Sequence, residues 1–267
     1  MSLDFQISQL PFQPAEFVPG HVWLAGAGPG SIGHLTLDVL DAVSKADVII
    51  YDALVNPDIL KLAKDAKLCF AGKRGGKVSA AQDAINEMLI GNARQNRRVL
   101  RLKGGDPYIF GRGGEEVFVL ARAGIPFRVL PGITAAFAAL AATDIPATIR
   151  GTNRAIILAT GHAPGTDGDV DWTALAKTGQ PIIVYMGLSN VDRIATELIA
   201  GGMAADTPAA IIQSATTNEE RVLIATASTI AAEAGAGGYS SPALIVFGDI
   251  VALRSQLQTG ATSEVMP

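Results

Sequence analysis

From Val22 onward the chain alternates short apolar runs with stretches whose apolar residues recur at helical spacing, and this alternation restricts it to an α/β fold. Residues 22–25, 48–51, 67–70, 99–102 and 127–130 read as strands, each closed by Gly, Pro or charged residues. Between them, 35–43 and 80–93 read as helices. The second half repeats the pattern, with strands at 155–159, 181–185, 209–212, 222–225 and 243–247 and helices at 191–200 and 228–234. Residues 144–151 show no clear period and separate the halves. The reading is an N-terminal arm at 1–20, two α/β domains at 21–145 and 146–257 with parallel or mixed sheets, and a tail at 258–267. A ligand cleft is expected between the two sheets, where carboxyl ends of strands and domain interfaces favour pockets.

Composition limits the class of function. Cys69 is the single cysteine, so no disulfide can form within the chain, and a buried strand thiol in a reducing, cytoplasmic setting is the expectation. No run of about 18 apolar residues is present, so no membrane span is expected. The first 20 residues carry Asp4 and Glu16 but no Lys or Arg, which is unlike a secretory signal, and leaves open an ordered arm or a loose tail. Net charge is −4, yet between Lys61 and Arg154 Lys and Arg outnumber Asp and Glu by sixteen to seven. Such a basic stretch in an acidic protein suits an anionic ligand, or is an ordinary solvated face. Nucleic acid is not expected, because no aromatic interleaving or known module accompanies the charge.

The first motif is Gly26-Ala27-Gly28-Pro29-Gly30-Ser31-Ile32-Gly33, placed directly after a strand and before a helix. Gly28-x-Gly30-x-x-Gly33 formally matches a dinucleotide fingerprint, and Asp52 closes the next strand where a ribose-binding acid would sit. An oxidoreductase is therefore one reading. Against it, Pro29 removes a backbone N–H from the loop that would cradle a pyrophosphate. A purely structural turn, or a ligand carrier without turnover, remain the other readings.

The most specific motif runs from Leu102 to Glu116, through Lys103-Gly104-Gly105-Asp106-Pro107-Tyr108-Ile109-Phe110-Gly111-Arg112-Gly113-Gly114-Glu115. Its glycines argue against helix or strand and let ligand atoms approach the backbone. Asp106 can accept hydrogen bonds from hydroxyls, and Arg112 offers a planar fork suited to a carboxylate. Glu115 and Glu116 open the following helix, where carboxylates also suit the helix dipole. His21, His34 and His162 have no metal-ligand spacing, so no metal is expected.

With Tyr51-Asp52-Ala53-Leu54-Val55, Gly72-Lys73-Arg74, Val129-Leu130-Pro131-Gly132-Ile133-Thr134-Ala135, Thr160-Gly161-His162 and Tyr185-Met186-Gly187-Leu188, these motifs resemble the uroporphyrinogen-III C-methyltransferases, within the tetrapyrrole methyltransferases. The resemblance extends from about Val22 to Arg254. It implies two α/β domains with S-adenosylmethionine in the cleft between them, S-adenosylhomocysteine as the spent cofactor, and a tetrapyrrole substrate. The reaction implied is successive methylation of uroporphyrinogen III at C2 and C7, giving precorrin-2 for sirohaem, cobalamin or haem d1 synthesis. Cofactor positions fall on Pro29, Gly104, Gly105, Asp106, Ile109, Thr134, Ala135, Met186 and Ala215. Catalytic positions fall on Asp52, Lys73, Arg112 and Glu115, and substrate contacts on Arg112, Glu115, Arg150 and Met186. A cytoplasmic homodimer is implied as well. The sequence departs from the family at Ile149, where a His usually precedes the Arg, and it lacks the N-terminal region of members fused to a dehydrogenase/chelatase.

Overall fold

The structure, a computed structural model, describes residues 11–72, 82–161 and 169–259. Among the described residues ten strands form two five-stranded sheets. The first contains β1 (Val22–Gly26), β2 (Val48–Tyr51), β3 (Lys67–Phe70), β4 (Val99–Lys103) and β5 (Phe127–Leu130), in the order β3-β2-β4-β1-β5, all parallel. The second contains β6 (Ile157–Thr160), β7 (Ile182–Tyr185), β8 (Pro208–Gln213), β9 (Arg221–Thr226) and β10 (Ala243–Phe247), in the order β6-β7-β10-β8-β9. It is mixed: β6 and β7 are parallel, while β10 runs against β7 and β8, and β8 against β9.

Helices cover both faces of the first sheet, so its strands are apolar on both sides rather than alternating. Trp23 and Ala25 of β1 pack with Val39, Ala42 and Val43 of α1 (Leu37–Lys45). On the other face, Val22 and Leu24 pack with Ile85 and Leu89 of α3 (Gln82–Arg94) and Leu120 of α4 (Gly113–Arg122). The short α2 (Pro57–Leu60) follows β2 with Asn56 as its cap. The arm is ordered over its described part, for Phe17 is buried and stacks on Trp23 with ring centres 4.2 Å apart. Cys69 is half-buried, because β3 is an edge strand.

Two expectations need correction here. The helix expected at 35–43 is Leu37–Lys45, preceded by a 3-10 turn at Ile32–His34, and the Thr36 hydroxyl at its start accepts from Val39 N. The fingerprint therefore lacks the loop-to-helix junction that holds a pyrophosphate. The glycine-rich stretch also does not exclude regular structure, since β4 runs to Lys103 and α4 begins at Gly113.

The helix α5 (Ala135–Ala142) went unread in the sequence, and it joins the two halves. Its Ala136, Ala139 and Leu140 pack with Ile183 and Tyr185 of β7, Ala210 and Ile212 of β8, and Val246 of β10. Beyond it, α6 (Trp172–Ala176), α7 (Val191–Ala200) and α8 (Ile230–Ala236) cover the second sheet's other face, and α9 (Leu253–Thr259) ends the described chain. The carboxyl ends of β1, β2, β4 and β5 share one edge of the parallel sheet. In the second sheet the carboxyl ends of β6, β7 and β8 share an edge with the amino end of β10, as Leu244 opposite Tyr185 and Ala243 opposite Gln213 record.

Candidate active site

Three glycines bring the edge of the first sheet together. A Cβ on Gly26 would lie 2.5 Å from Gly105 O and 2.6 Å from Gly132 Cα, so the loops after β1, β4 and β5 touch backbone to backbone. Gly28 and Gly105 exchange hydrogen bonds of 3.2 and 2.7 Å, while Gly105 holds φ +67°. A Cβ at Gly105 itself would make only ordinary contact with Ala135 N, at 3.6 Å. Small residues thus leave a backbone-lined recess beside Thr134 and Ala135.

The second sheet closes on this recess. Thr134 Oγ1 lies 2.6 Å from Tyr185 Oη, which also accepts from Ala136 N at 3.1 Å. Burial pushes the Tyr185 hydroxyl above its ordinary range, so it stays protonated at neutral pH. Phe110 rests its ring 5.0 Å from that of Tyr185. Next to Tyr185, Met186 is 48% exposed with φ +52°. Ser31 N donates to Thr216 Oγ1 at 3.2 Å, which ties the turn after β1 to the loop after β8, and Asn56 Nδ2 donates to Gly30 O at 2.7 Å from the start of α2. Ile109, Ala135 and Ala215 are partly buried against one shared apolar cluster around Tyr185. Gly104 packs over Leu54. Asp106 spends one oxygen on Tyr108 N (2.8 Å) and the other on Gly132 N (3.1 Å), and its remaining lone pairs are free for a hydroxyl.

Beneath the cleft lies a charged quartet inside the parallel sheet. Arg101 and Lys103 of β4 are 2% and 3% exposed, and Glu116 of α4 is fully buried. Arg101 donates through Nη2 to Asp52 Oδ1 at 2.5 Å and through Nε to Glu116 Oε1 at 3.1 Å. Lys103 Nζ stands 3.5 Å from Asp52 Oδ2 and 3.3 Å from Glu116 Oε1. Gln82 Nε2 donates a third bond to the same Oε1, at 3.1 Å, while Oε2 is buried with no partner among the described residues. Asp52 alone keeps partial exposure, 28% of its side chain. The family resemblance implies a catalytic Asp52, the helix dipole alone accounts for either Glu115 or Glu116, and no motif points to Arg101. The missed signal was Val99-Leu100-Arg101-Leu102-Lys103, in which two cations interrupt a strand buried on both faces.

Arg112 and Glu115 stand apart from this quartet at the mouth of the loop. Arg112 caps α4 with φ +58° and forks onto both oxygens of Glu115, at 2.9 and 2.6 Å. The guanidinium holds the Glu115 carboxyl below the usual carboxylate range. Arg150 lies on the exposed turn before β6. Lys73 and His162 lie outside the described residues. Among the described residues no group of His, Cys, Asp and Glu could hold a metal ion. A cavity of about 210 Å³ lined by Gly179, Pro181, Met203, Thr207 and Asp249 involves none of these residues.

Comparison with known proteins agrees with this architecture. Residues 21–231 match the family model described as Tetrapyrrole (Corrin/Porphyrin) Methylases. A uroporphyrinogen-III C-methyltransferase from Sinorhizobium sp is 47% identical over 241 residues, covering 89% of this chain and 86% of that one. A siroheme synthase from Edwardsiella ictaluri is 46% identical, covering 92% of this chain but 53% of the relative, so the chain spans about half of that longer protein. A solved uroporphyrin-III C-methyl transferase from Thermus thermophilus, complexed with S-adenyl homocysteine, superposes with a TM-score of 0.74 at 35% identity, over 87% of this chain and 99% of that one. Two α/β sheets meeting at a glycine-lined cleft, together with this match over most of the chain, place the chain in the tetrapyrrole (corrin/porphyrin) methylases.

Proposed function

We propose that the protein is an S-adenosylmethionine-dependent methyltransferase that methylates uroporphyrinogen III twice, at C2 and C7, to give precorrin-2. The observation that carries the reading is the meeting of the glycine loops after β1, β4 and β5 with the second sheet at Thr134 and Tyr185, at the strand edge that also carries the partly exposed Asp52. The relatives named above support the choice of substrate and cofactor.

The chain fits the cofactor on its own geometry. The recess beside Gly105, Thr134 and Ala135 admits a ligand to the backbone, and Ile109, Met186 and Ala215 offer apolar contact. Gly104, Pro29 and Asp106 complete the proposed set, with Asp106 receiving a ribose hydroxyl. Bound there, S-adenosylmethionine supplies a sulfonium methyl already activated for transfer.

The chain's residues then position and discharge. Arg112 and Arg150 bind substrate carboxylates beside Met186, and Glu115 is the group that a substrate carboxylate replaces on Arg112. An exposed Arg–Glu pair contributes about 0–1 kcal/mol, so exchanging Glu115 for a substrate carboxylate is cheap. Asp52 takes the proton that the macrocycle releases after each transfer. Oδ2 is the atom suited to it, because among the described residues its partner is Lys103 at 3.5 Å, while Oδ1 is held tightly by Arg101. Lys73 is proposed as a second catalytic group from the family pattern alone.

We divide the chain into domains at 21–145 and 146–257, with α5 reaching across the boundary onto the second sheet, flanked by the arm (1–20) and tail (258–267). A cytoplasmic homodimer completes the reading. The unpaired Cys69 suits a reducing compartment. A dimer would cover Phe118 of α4 and Phe137 of α5, which are 69% and 46% exposed. Among the described residues no helix is long and apolar enough to cross a membrane. Mass spectrometry of the product from uroporphyrinogen III and S-adenosylmethionine tests the function: a doubly methylated macrocycle is expected, and unchanged substrate would overturn it.

A further inference from the structure

Two members of the quartet, Lys103 and Glu116, are 3% and 0% exposed. Stability does not account for them. Ion pairs inside a sheet are commonly no better than apolar residues of the same volume, because taking both charges out of water offsets their attraction. Every other β4 side chain between Val99 and Leu102 except Arg101 is apolar. What the two do achieve is geometric. Arg101 grips Asp52 by a single nitrogen on Oδ1, which leaves the carboxylate free to turn about that bond. Lys103 meets Oδ2, so two cations on two oxygens define the carboxylate plane. Glu116 Oε1 accepts from Arg101, Lys103 and Gln82 together, and so fixes both cationic heads relative to α3 and α4.

We infer that Lys103 and Glu116 are positioning residues for Asp52. Glu116 anchors Lys103, and Lys103 holds Oδ2 in the one orientation that faces the substrate. This inference rests on the proton-accepting role proposed for Asp52. It also explains why two carboxylates and two cations are balanced here: without Glu116, two buried cations would converge on one partly exposed acid.

Steady-state kinetics on a double-mutant cycle test it. Lys103→Met is expected to lower kcat about 10²-fold, the usual cost of a small misplacement at a reacting group, with substrate KM and S-adenosylhomocysteine affinity unchanged. On an Asp52→Asn background the same substitution should add nothing, because its route of action is already gone. Lys103→Arg, which keeps the charge and a donor, should return kcat to within about tenfold of the parent. Glu116→Gln keeps the side chain's shape and should give a smaller loss that also vanishes on Asp52→Asn; it carries the test where Lys103→Met does not fold. Losses that multiply with that of Asp52→Asn would overturn the inference. A crystal structure of Lys103→Met gives a readout independent of turnover: the Asp52 carboxylate should be rotated or split between conformers, and an unmoved carboxylate would overturn the inference. Should the parent transfer no methyl to uroporphyrinogen III, the substrate reading falls, and the Asp52 position in that crystal decides the inference by itself.

Discussion

Tyr185 Oη and Thr134 Oγ1 lie 2.6 Å apart, joining the carboxyl end of β7 in the mixed sheet to the start of α5, which follows the parallel sheet. Thr134 precedes a helix yet makes no side-chain cap, because its hydroxyl is committed to Tyr185. The same phenol accepts from Ala136 N, so the backbone N–H that a cap would satisfy is satisfied from the other sheet. The cleft is therefore latched at its base by one tyrosine.

Tyr185→Phe removes that latch while keeping the ring against Phe110. It strands the Thr134 hydroxyl and the Ala136 N–H in a buried place, at about 1–3 kcal/mol for each group left unpaired. The variant should melt at lower temperature and bind S-adenosylhomocysteine several-fold more weakly, by calorimetry. Unchanged affinity would remove the latch from cofactor binding.

Two glycines separate strain from space. Gly105 has room for a Cβ but sits at φ +67°, so Gly105→Ala should cost about 1–2 kcal/mol. A Cβ on Gly132 would run into Gly105 O and Gly26 backbone. Gly132→Ala should thus be the more damaging of the two, read as denaturant midpoint or soluble yield. The reverse order would mean that the loop crossing is looser than described.

Asp47, preceding β2, accepts from Arg98 N, Nε and Nη2 at 2.7, 3.1 and 2.7 Å, and these bonds hold its carboxyl below the ordinary aspartate value of 3.8. A depressed folded-state value contributes stability that is whole above the unfolded value and lost as pH falls through the folded one. Asp47→Asn should therefore lower the melting temperature at pH 7, by a small amount because the pair is over one-third exposed, and the difference should shrink as pH drops below 3.8. Methyl transfer should be unaffected, since Asp47 lies at the amino end of β2, away from the cleft. A melting difference that grows in acid would contradict this sign.

Much of the fold was legible because parallel strands buried on both faces give unbroken apolar runs. Residues 48–51 coincide with β2 for that reason, while the partly exposed edge strands β3 and β5 were legible at 67–70 and 127–130 as short stretches closed by Gly, Pro or charged residues. Helix α5 was not legible, because Ala-Ala-Phe-Ala-Ala-Leu-Ala-Ala is small and apolar all round and shows no period. Gly113 and Gly114 likewise disguised the start of α4. At the site, Asp52 and the Gly-Gly-Asp loop stood out as motifs. The quartet did not: residues 52, 101, 103 and 116 meet only when β2, β4 and α4 pack, and no local spacing encodes that meeting.

Salt distinguishes the two ligands. The substrate is a polyanion meeting exposed cations such as Arg112 and Arg150, whereas the cofactor meets apolar surface and hydrogen bonds. Raising ionic strength shortens the Debye length from about 10 Å at 0.1 M to about 3 Å at 1 M. Substrate KM should rise over that range while S-adenosylhomocysteine affinity stays near constant. Equal sensitivity would argue against carboxylate binding by these arginines.

Counting labelled methyls transferred from S-adenosylmethionine to uroporphyrinogen III, in the parent and in Asp52→Asn side by side, tests the central claim most directly. The parent should place two methyls on each macrocycle. Asp52→Asn should bind S-adenosylhomocysteine as the parent does and transfer about 10²–10⁴-fold more slowly, the usual contribution of a general base. A parent that transfers none, or an Asp52→Asn variant as fast as the parent, would contradict the account.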